Sequence, residues 1–262
     1  MEKPEVFSEK KDAITTITIY RPDRKNAVRS QTLDLLWKEM AAAAEDESVR
    51  VVVLTGVPGA FCAGADLKEG FAGEDPMERV METTTRTAQK IITWMVNMPK
   101  PVITKVDGPA VGFGCNLALG ADIVIASERA RFSEIFVKVG LATDGGGAFF
   151  LPRLVGLRKA FELVFTGDFV EGKKAEEIGL VTRVVPVADL DRVVDELAQK
   201  LARGPRRAMA ATKAAIYRGL TGDLMQVLEM ETQAQINAVR NGEFNEGAMA
   251  FIQRRDPDFR NI

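Results

Sequence analysis

The chain has 262 residues, 46% hydrophobic and 27% charged, with 35 basic against 37 acidic side chains, two cysteines and no histidine. That balance suits a globular protein with a sizeable core, and a net charge of −2 with interspersed signs argues against the one-sided electropositive surface that nucleic acid or an anionic membrane requires. Without histidine there is no Ser-His-Asp or Cys-His catalysis, no HExxH metal helix and no imidazole general base.

Residues 1–11 are mostly polar and charged, without the apolar region or small-residue cleavage site of an export signal. No uncharged run approaches the roughly 18 residues of a membrane span. Cys62 and Cys115 lie in apolar, glycine-rich stretches and read as small buried hydrophobes in a reducing compartment. The expectation is a cytoplasmic protein that neither enters a membrane nor binds nucleic acid.

Residues 14–20 (ITTITIY) alternate as a half-buried strand that ends at Arg21-Pro22-Asp23. Residues 30–45 carry apolar side chains at helical spacing, with Ser30 placed to cap them. Buried strands are predicted at residues 51–54, 102–106 and 123–126 and a fourth strand at 181–185, with helices at 76–97, 115–120, 146–154 and 173–178. This succession predicts an α/β fold with largely parallel pairing. Beyond Pro186 only helices are predicted, at residues 190–201, 205–218, 224–239 and 243–254. An α/β core over residues 1–200 is therefore followed by a helical region over 201–262, which must dock on the core or on a neighbouring subunit because it carries too little apolar surface to fold alone.

Two glycine-rich turns stand out: Ala60-Phe61-Cys62-Ala63-Gly64-Ala65-Asp66-Leu67 after the strand at 51–55, and Gly108 to Asn116 after the strand at 102–106. A dinucleotide fingerprint is ruled against, since Gly112-x-Gly114 lacks its third glycine and no acidic residue follows a strand at the usual distance; no Gly-Lys-Ser/Thr phosphate loop is present either. The alternative is that each turn gives one backbone N–H to a single oxygen. Enolising a thioester, or adding a nucleophile to its conjugated double bond, places negative charge on that oxygen, and two preorganised donors are each worth roughly 3 kcal/mol of barrier.

VVVLTGVPGAFCAGADLKE, GPAVGFGCNLALGADIVIA, FVKVGLATDGGGAFFLPRLVG, GKKAEEIGLVTRVV and EGAMAFIQRRDPDF together resemble the enoyl-CoA hydratase/isomerase family, the crotonase superfamily, over residues 14–259. RPDRKNAV looks like that family's opening strand and turn. The resemblance implies a ClpP/crotonase-like ββα spiral core, a helical C-terminal segment that assembles trimers or hexamers of two trimers, and no bound cofactor or metal, the substrate arriving as a coenzyme A thioester. It also implies an oxyanion hole from the amides of Ala65 and Phe113, the family commonly having glycine where Phe113 stands. Coenzyme A is implied along Arg24-Lys25 and Ala63, Gly64, Asp66 and Leu67, where positive charge suits phosphates. Read without the resemblance, Arg24 and Lys25 form an ordinary solvated basic turn, and Asp66 braces its own turn.

Hydratases of the family resemble a two-glutamate machine, yet the corresponding places here hold Asn116 and Phe136, neither able to accept a proton as required. Asp144, in GLATDGGG, is left as the acid/base: local sequence grammar reads it as a helix N-cap, whereas isomerases and a dehalogenase of the superfamily carry a working aspartate there. Beside an apolar acyl pocket its pKa is expected to rise by desolvation. Asn116, Phe136 and Glu134 are further candidates for substrate contact, with Glu134 read mainly as a surface or ion-paired residue. Met77, Met81, Trp94, Met95 and Met98 suit an acyl-chain wall, although core filling is the commoner reason for such spacing. Double-bond isomerisation of an enoyl-CoA is the expected reaction. Hydration is the alternative within the class, a carbon–carbon hydrolase or lyase another use of the scaffold, and a non-catalytic CoA-thioester or RNA binder the alternative outside it.

Overall fold

The structure is a computed structural model that describes residues 3–71, 75–260 and 262. In chain order, β1 (Val6–Lys11) and β2 (Ile14–Ile19) form a hairpin, α1 (Ser30–Glu45) crosses to β3 (Val51–Gly56), and α2 (Leu67–Gly70) and α3 (Met77–Asn97) lead to β4 (Val102–Val106). Next come β5 (Pro109–Val111), α4 (Phe113–Leu119), β6 (Ile123–Ser127), β7 (Arg131–Ser133), a 3-10 turn (Ile135–Val139), α5 (Gly147–Val155) and α6 (Leu157–Thr166). β8 (Val170–Glu171), α7 (Gly172–Glu177) and β9 (Arg183–Val185) follow, and the chain closes on α8 (Leu190–Ala202), α9 (Arg206–Gly219), α10 (Leu224–Arg240) and α11 (Glu243–Gln253).

The main sheet runs β1-β2-β3-β4-β6-β9, antiparallel at β1/β2 and parallel elsewhere, with a second sheet β5-β7-β8 beside it. The continuous apolar run of β3 follows from burial on both faces. Val52 and Leu54 enter a core with Leu33, Leu36, Ile91 and Met95 of α1 and α3, while Val51 and Val53 join Ile103, Ile125 and the α8 residues Leu190, Val194 and Ala198. Helix α8 therefore covers the second face of the sheet.

Sequence periodicity did not reveal β1, whose Phe7 to Lys11 side chains are at most half-buried and which is held by its register on β2. The charged edge suits an exposed outer strand. Strands β5, β7 and β8 have two or three residues each, too few for any alternation to register. Helix α6 was also unforeseen, since it buries only Ala160 and Leu163. One expectation is corrected: Ser30 lies inside α1 and Arg29 is the N-cap, its N–H donating to Thr32 Oγ1 at 3.3 Å. Met95 and Met98 fill the core, as ordinary helical spacing suggests.

Helix α9 is fixed to the core by a buried cation. Lys213 Nζ donates to the carbonyls of Met95 (2.7 Å) and Lys100 (3.1 Å) and to Asp122 Oδ2 (2.8 Å), and the same carboxylate oxygen accepts from Val102 N–H at 2.8 Å. Removing one partner leaves the other charge largely buried without its counterion. Lys213→Met is expected to lower stability by about 3 kcal/mol, read as an earlier midpoint in urea denaturation with the slope unchanged.

Candidate active site

Three turns meet at the carboxyl ends of β2, β3 and β4. The turn after β2 is organised by Asn26, fully buried, which accepts from Arg21 N–H (2.9 Å) and donates to Ala60 O (2.7 Å). Its backbone then pairs with the second turn: Ala63 N–H donates to Lys25 O, Val28 N–H to Gly64 O and Asp66 N–H to Val28 O. Arg24 and Lys25 sit on the solvent side of this joint, and Leu67 beside them is 44% exposed. The Asp66 carboxylate turns inward to Arg21 at 3.1 Å and braces the turn.

The second and third turns are in direct contact. Cys62 N–H donates to Pro109 O and Val111 N–H to Cys62 O. A β-carbon at Gly64 would lie 2.8 Å from Val111 O, and one at Gly114 would lie 2.2 Å from Cys62 O. Ala65 and Phe113 are thereby brought onto adjoining strips of backbone, and among the described residues neither N–H enters a turn or cap hydrogen bond. The Phe113 ring lies behind the turn, buried against the position of Gly145. Phe136 packs behind Gly112.

Asp144 lies on the turn that opens α5, at the wall of a cavity of about 480 Å³ whose other side is Thr85, Arg86, Gln89, Ile92 and Thr93 of α3. The N-cap of α5 is Gly146, so the Asp144 side chain caps nothing; its Oδ1 is buried with no hydrogen-bond partner. Burial, helped by the charge of Glu134, pushes its pKa up to about 6. The α3 methionines expected as an acyl wall are absent from this lining.

Asn116, Glu134 and Phe136 stand behind the cavity lining, each buried. Glu134 corrects the surface or ion-paired expectation: it is 3% exposed and makes no ion pair among the described residues. Its Oε2 accepts from Thr143 Oγ1 (2.9 Å) and Asn116 Nδ2 (3.2 Å), and Asn116 Nδ2 also donates to Asp144 O at 2.9 Å. Nothing in the local sequence marks Glu134 as buried, because its partners lie 18 and 9 residues away and meet it only through the fold.

The enoyl-CoA hydratase/isomerase family profile matches residues 9–261, and the chain belongs to this family. It is 34% identical to a probable enoyl-CoA hydratase of Rhodobacter capsulatus, covering 95% of each chain, and 33% identical to the 1,2-epoxyphenylacetyl-CoA isomerase of Escherichia coli, covering 97% of each. The crystal structure of enoyl-CoA hydratase from Bacillus anthracis superposes with a TM-score of 0.93 at 32% identity, over 99% of this chain and 100% of that one. The crotonase fold and membership of an enzyme family that acts on CoA thioesters are thus established.

The raised Asp144 pKa has a consequence for stability. A carboxyl that titrates at about 6 when folded and at 3.8 otherwise binds its proton more tightly in the native state, so stability falls as pH rises through that interval and the deficit is full above it. Asp144→Asn removes the buried charge. Calorimetry is expected to show the variant more stable at pH 8 by about 1–2 kcal/mol, and equal to the parent at pH values below the interval.

Proposed function

We propose that this chain moves the double bond of an enoyl-CoA thioester, with Asp144 as the single acid/base. Its carboxylate takes a proton from C2 of a 3-enoyl thioester, charge passes to the thioester oxygen, and the same carboxyl returns the proton at C4 to leave a 2-enoyl thioester. The N–H groups of Ala65 and Phe113 hold the oxygen while it is negative. The observation that carries this assignment is a desolvated carboxyl without a hydrogen-bond partner on Oδ1, at a cavity wall, in a chain whose two hydratase glutamate positions hold Asn116 and Phe136.

Coenzyme A lies along the joint of the first two turns, its phosphates near Arg24 and Lys25 and its adenine against backbone at Ala63. The exposed cations make that strip receptive to anions. Self-assembly into trimers or pairs of trimers covers the apolar side chains left bare on α6, α10 and α11, among them Leu157, Phe165, Met225 and Phe251. Cytoplasmic residence accords with two free, buried cysteines, and among the described residues no helix is long and apolar enough to cross a membrane.

A panel of 2-enoyl-, 3-enoyl- and arylacetyl-CoA esters in deuterated water tests the reaction by mass spectrometry. Deuterium uptake without added water is expected; a product heavier by one water would replace isomerisation with hydration. Asp144→Asn is expected to lower kcat by about 100-fold or more while leaving thioester binding intact. In the parent enzyme kcat/KM is expected to fall on the acid side of about pH 6, because the base must be ionised to accept the C2 proton.

A further inference from the structure

Glu134 is a carboxylate buried at the end of β7 with no cation to neutralise it among the described residues. It ties two pieces of the site together: Thr143, next to Asp144 in the chain, and Asn116 of α4, whose amide nitrogen also donates to Asp144 O. Both bonds end on Oε2, leaving Oε1 buried without a hydrogen-bond partner. A glutamine would accept the same two bonds with its carbonyl oxygen and avoid the desolvation of a charge. What a carboxylate adds at this place is its negative charge, and the titratable groups that feel it are Cys115 of α4 and Asp144.

We propose that Glu134 is a positioning residue that acts on the reaction through Asp144, fixing the turn that carries it and supplying the neighbouring negative charge. This rests on the assignment of Asp144 as the acid/base. Two carboxyls largely buried in one hydrogen-bonded cluster resist being ionised together, so they titrate as a coupled pair. Burial and the Glu134 charge both raise the Asp144 pKa, and burial raises that of Glu134 itself. The remaining charged or titratable groups facing the pair do not offset this. Cys115 of α4, fully buried, is itself pushed up by burial and by Glu134, and Arg86 of α3, at the cavity rim, is committed to Glu82 at 2.7 Å.

The test follows the carboxyl carbons by NMR in protein labelled with ¹³C-aspartate, the Asp144 signal being identified by its loss in Asp144→Asn. In Glu134→Gln the Asp144 midpoint is expected to fall by about half a unit or more, roughly a threefold loss of proton affinity. The acid limb of kcat/KM is expected to move down by the same amount with KM changed less than twofold. A purely structural tie predicts an unmoved midpoint, and that result in folded Glu134→Gln overturns the proposal. Coupling is reciprocal, so ¹³C-glutamate labelling supplies a second measurement that does not require the Gln variant to fold: the Glu134 midpoint must fall in Asp144→Asn, and an unchanged value also overturns it. Turnover surviving in Asp144→Asn refutes the acid/base assignment instead, and leaves the titration results to decide the coupling alone.

Discussion

The site depends on two stretches of backbone, some 50 residues apart, being pressed together with no room for a side chain between them. The carbonyl oxygen of Cys62 lies only 2.2 Å from where a β-carbon at residue 114 would be, and that of Val111 2.8 Å from the corresponding position at residue 64. The parallel pairing of β3 with β4 delivers both turns to the same edge of the sheet, and the Cys62↔Ala110 bridge extends that pairing past the strand ends. At the carboxyl ends of parallel strands, backbone that leaves the sheet has donors with no ladder partner, and this is where open α/β sheets hold their ligands. Positive φ at Gly64 and Gly112 (89° and 55°) turns the chain sharply just before Ala65 and Phe113.

A second constraint keeps the acidic turn in place. Gly145 rests on the Phe113 ring and on Asn116 Cβ, and a β-carbon at Gly147 would come within 2.6 Å of both Thr143 Oγ1 and Asn116 Nδ2. The Phe113 ring therefore has a use: it is the floor beneath the Asp144 turn, while the residue's N–H belongs to the other side. Helix α4 thus bears on both halves of the site. The buried charges gathered around it cost stability, and surrounding packing must hold them in a geometry they would otherwise relax away from.

What the sequence disclosed and what it withheld divide along physical lines. Long apolar runs covered on both faces, such as β3, and amphipathic stretches such as α1, α3 and α8 were legible because their periodicity is local. The two turns were legible because glycine marks close backbone approach. Asp144 was legible only as an ambiguity between a cap and a base, which the Gly146 cap resolves against the former. The Glu134, Asn116 and Thr143 cluster was not legible, since a lone glutamate between Ser133 and Ile135 carries no sign of burial and its partners arrive from two other segments. The short strands of the second sheet escaped for a related reason: three residues cannot show a period, and their existence is decided by the register of the neighbouring chain.

The placement of the acids also bears on how protons can travel. At the two positions where a hydratase would carry glutamates, this chain has a buried amide engaged with Asp144 O and a ring packed behind Gly112, so both places do structural work for the turn and for the strip of backbone next to it. Of the two carboxyls that remain nearby, Glu134 is enclosed behind the lining and only Asp144 belongs to the cavity wall. A site with one carboxyl at the cavity has one group to remove a proton and the same group to return it. On the proposed reaction, donor and acceptor carbons must then present the same face to Asp144. Hydration would ask more of the site, because a water would have to be held and deprotonated while a second proton reached carbon. With Asp144 as the proposed acid/base, moving one proton between two carbons asks less of the site than adding both parts of a water molecule.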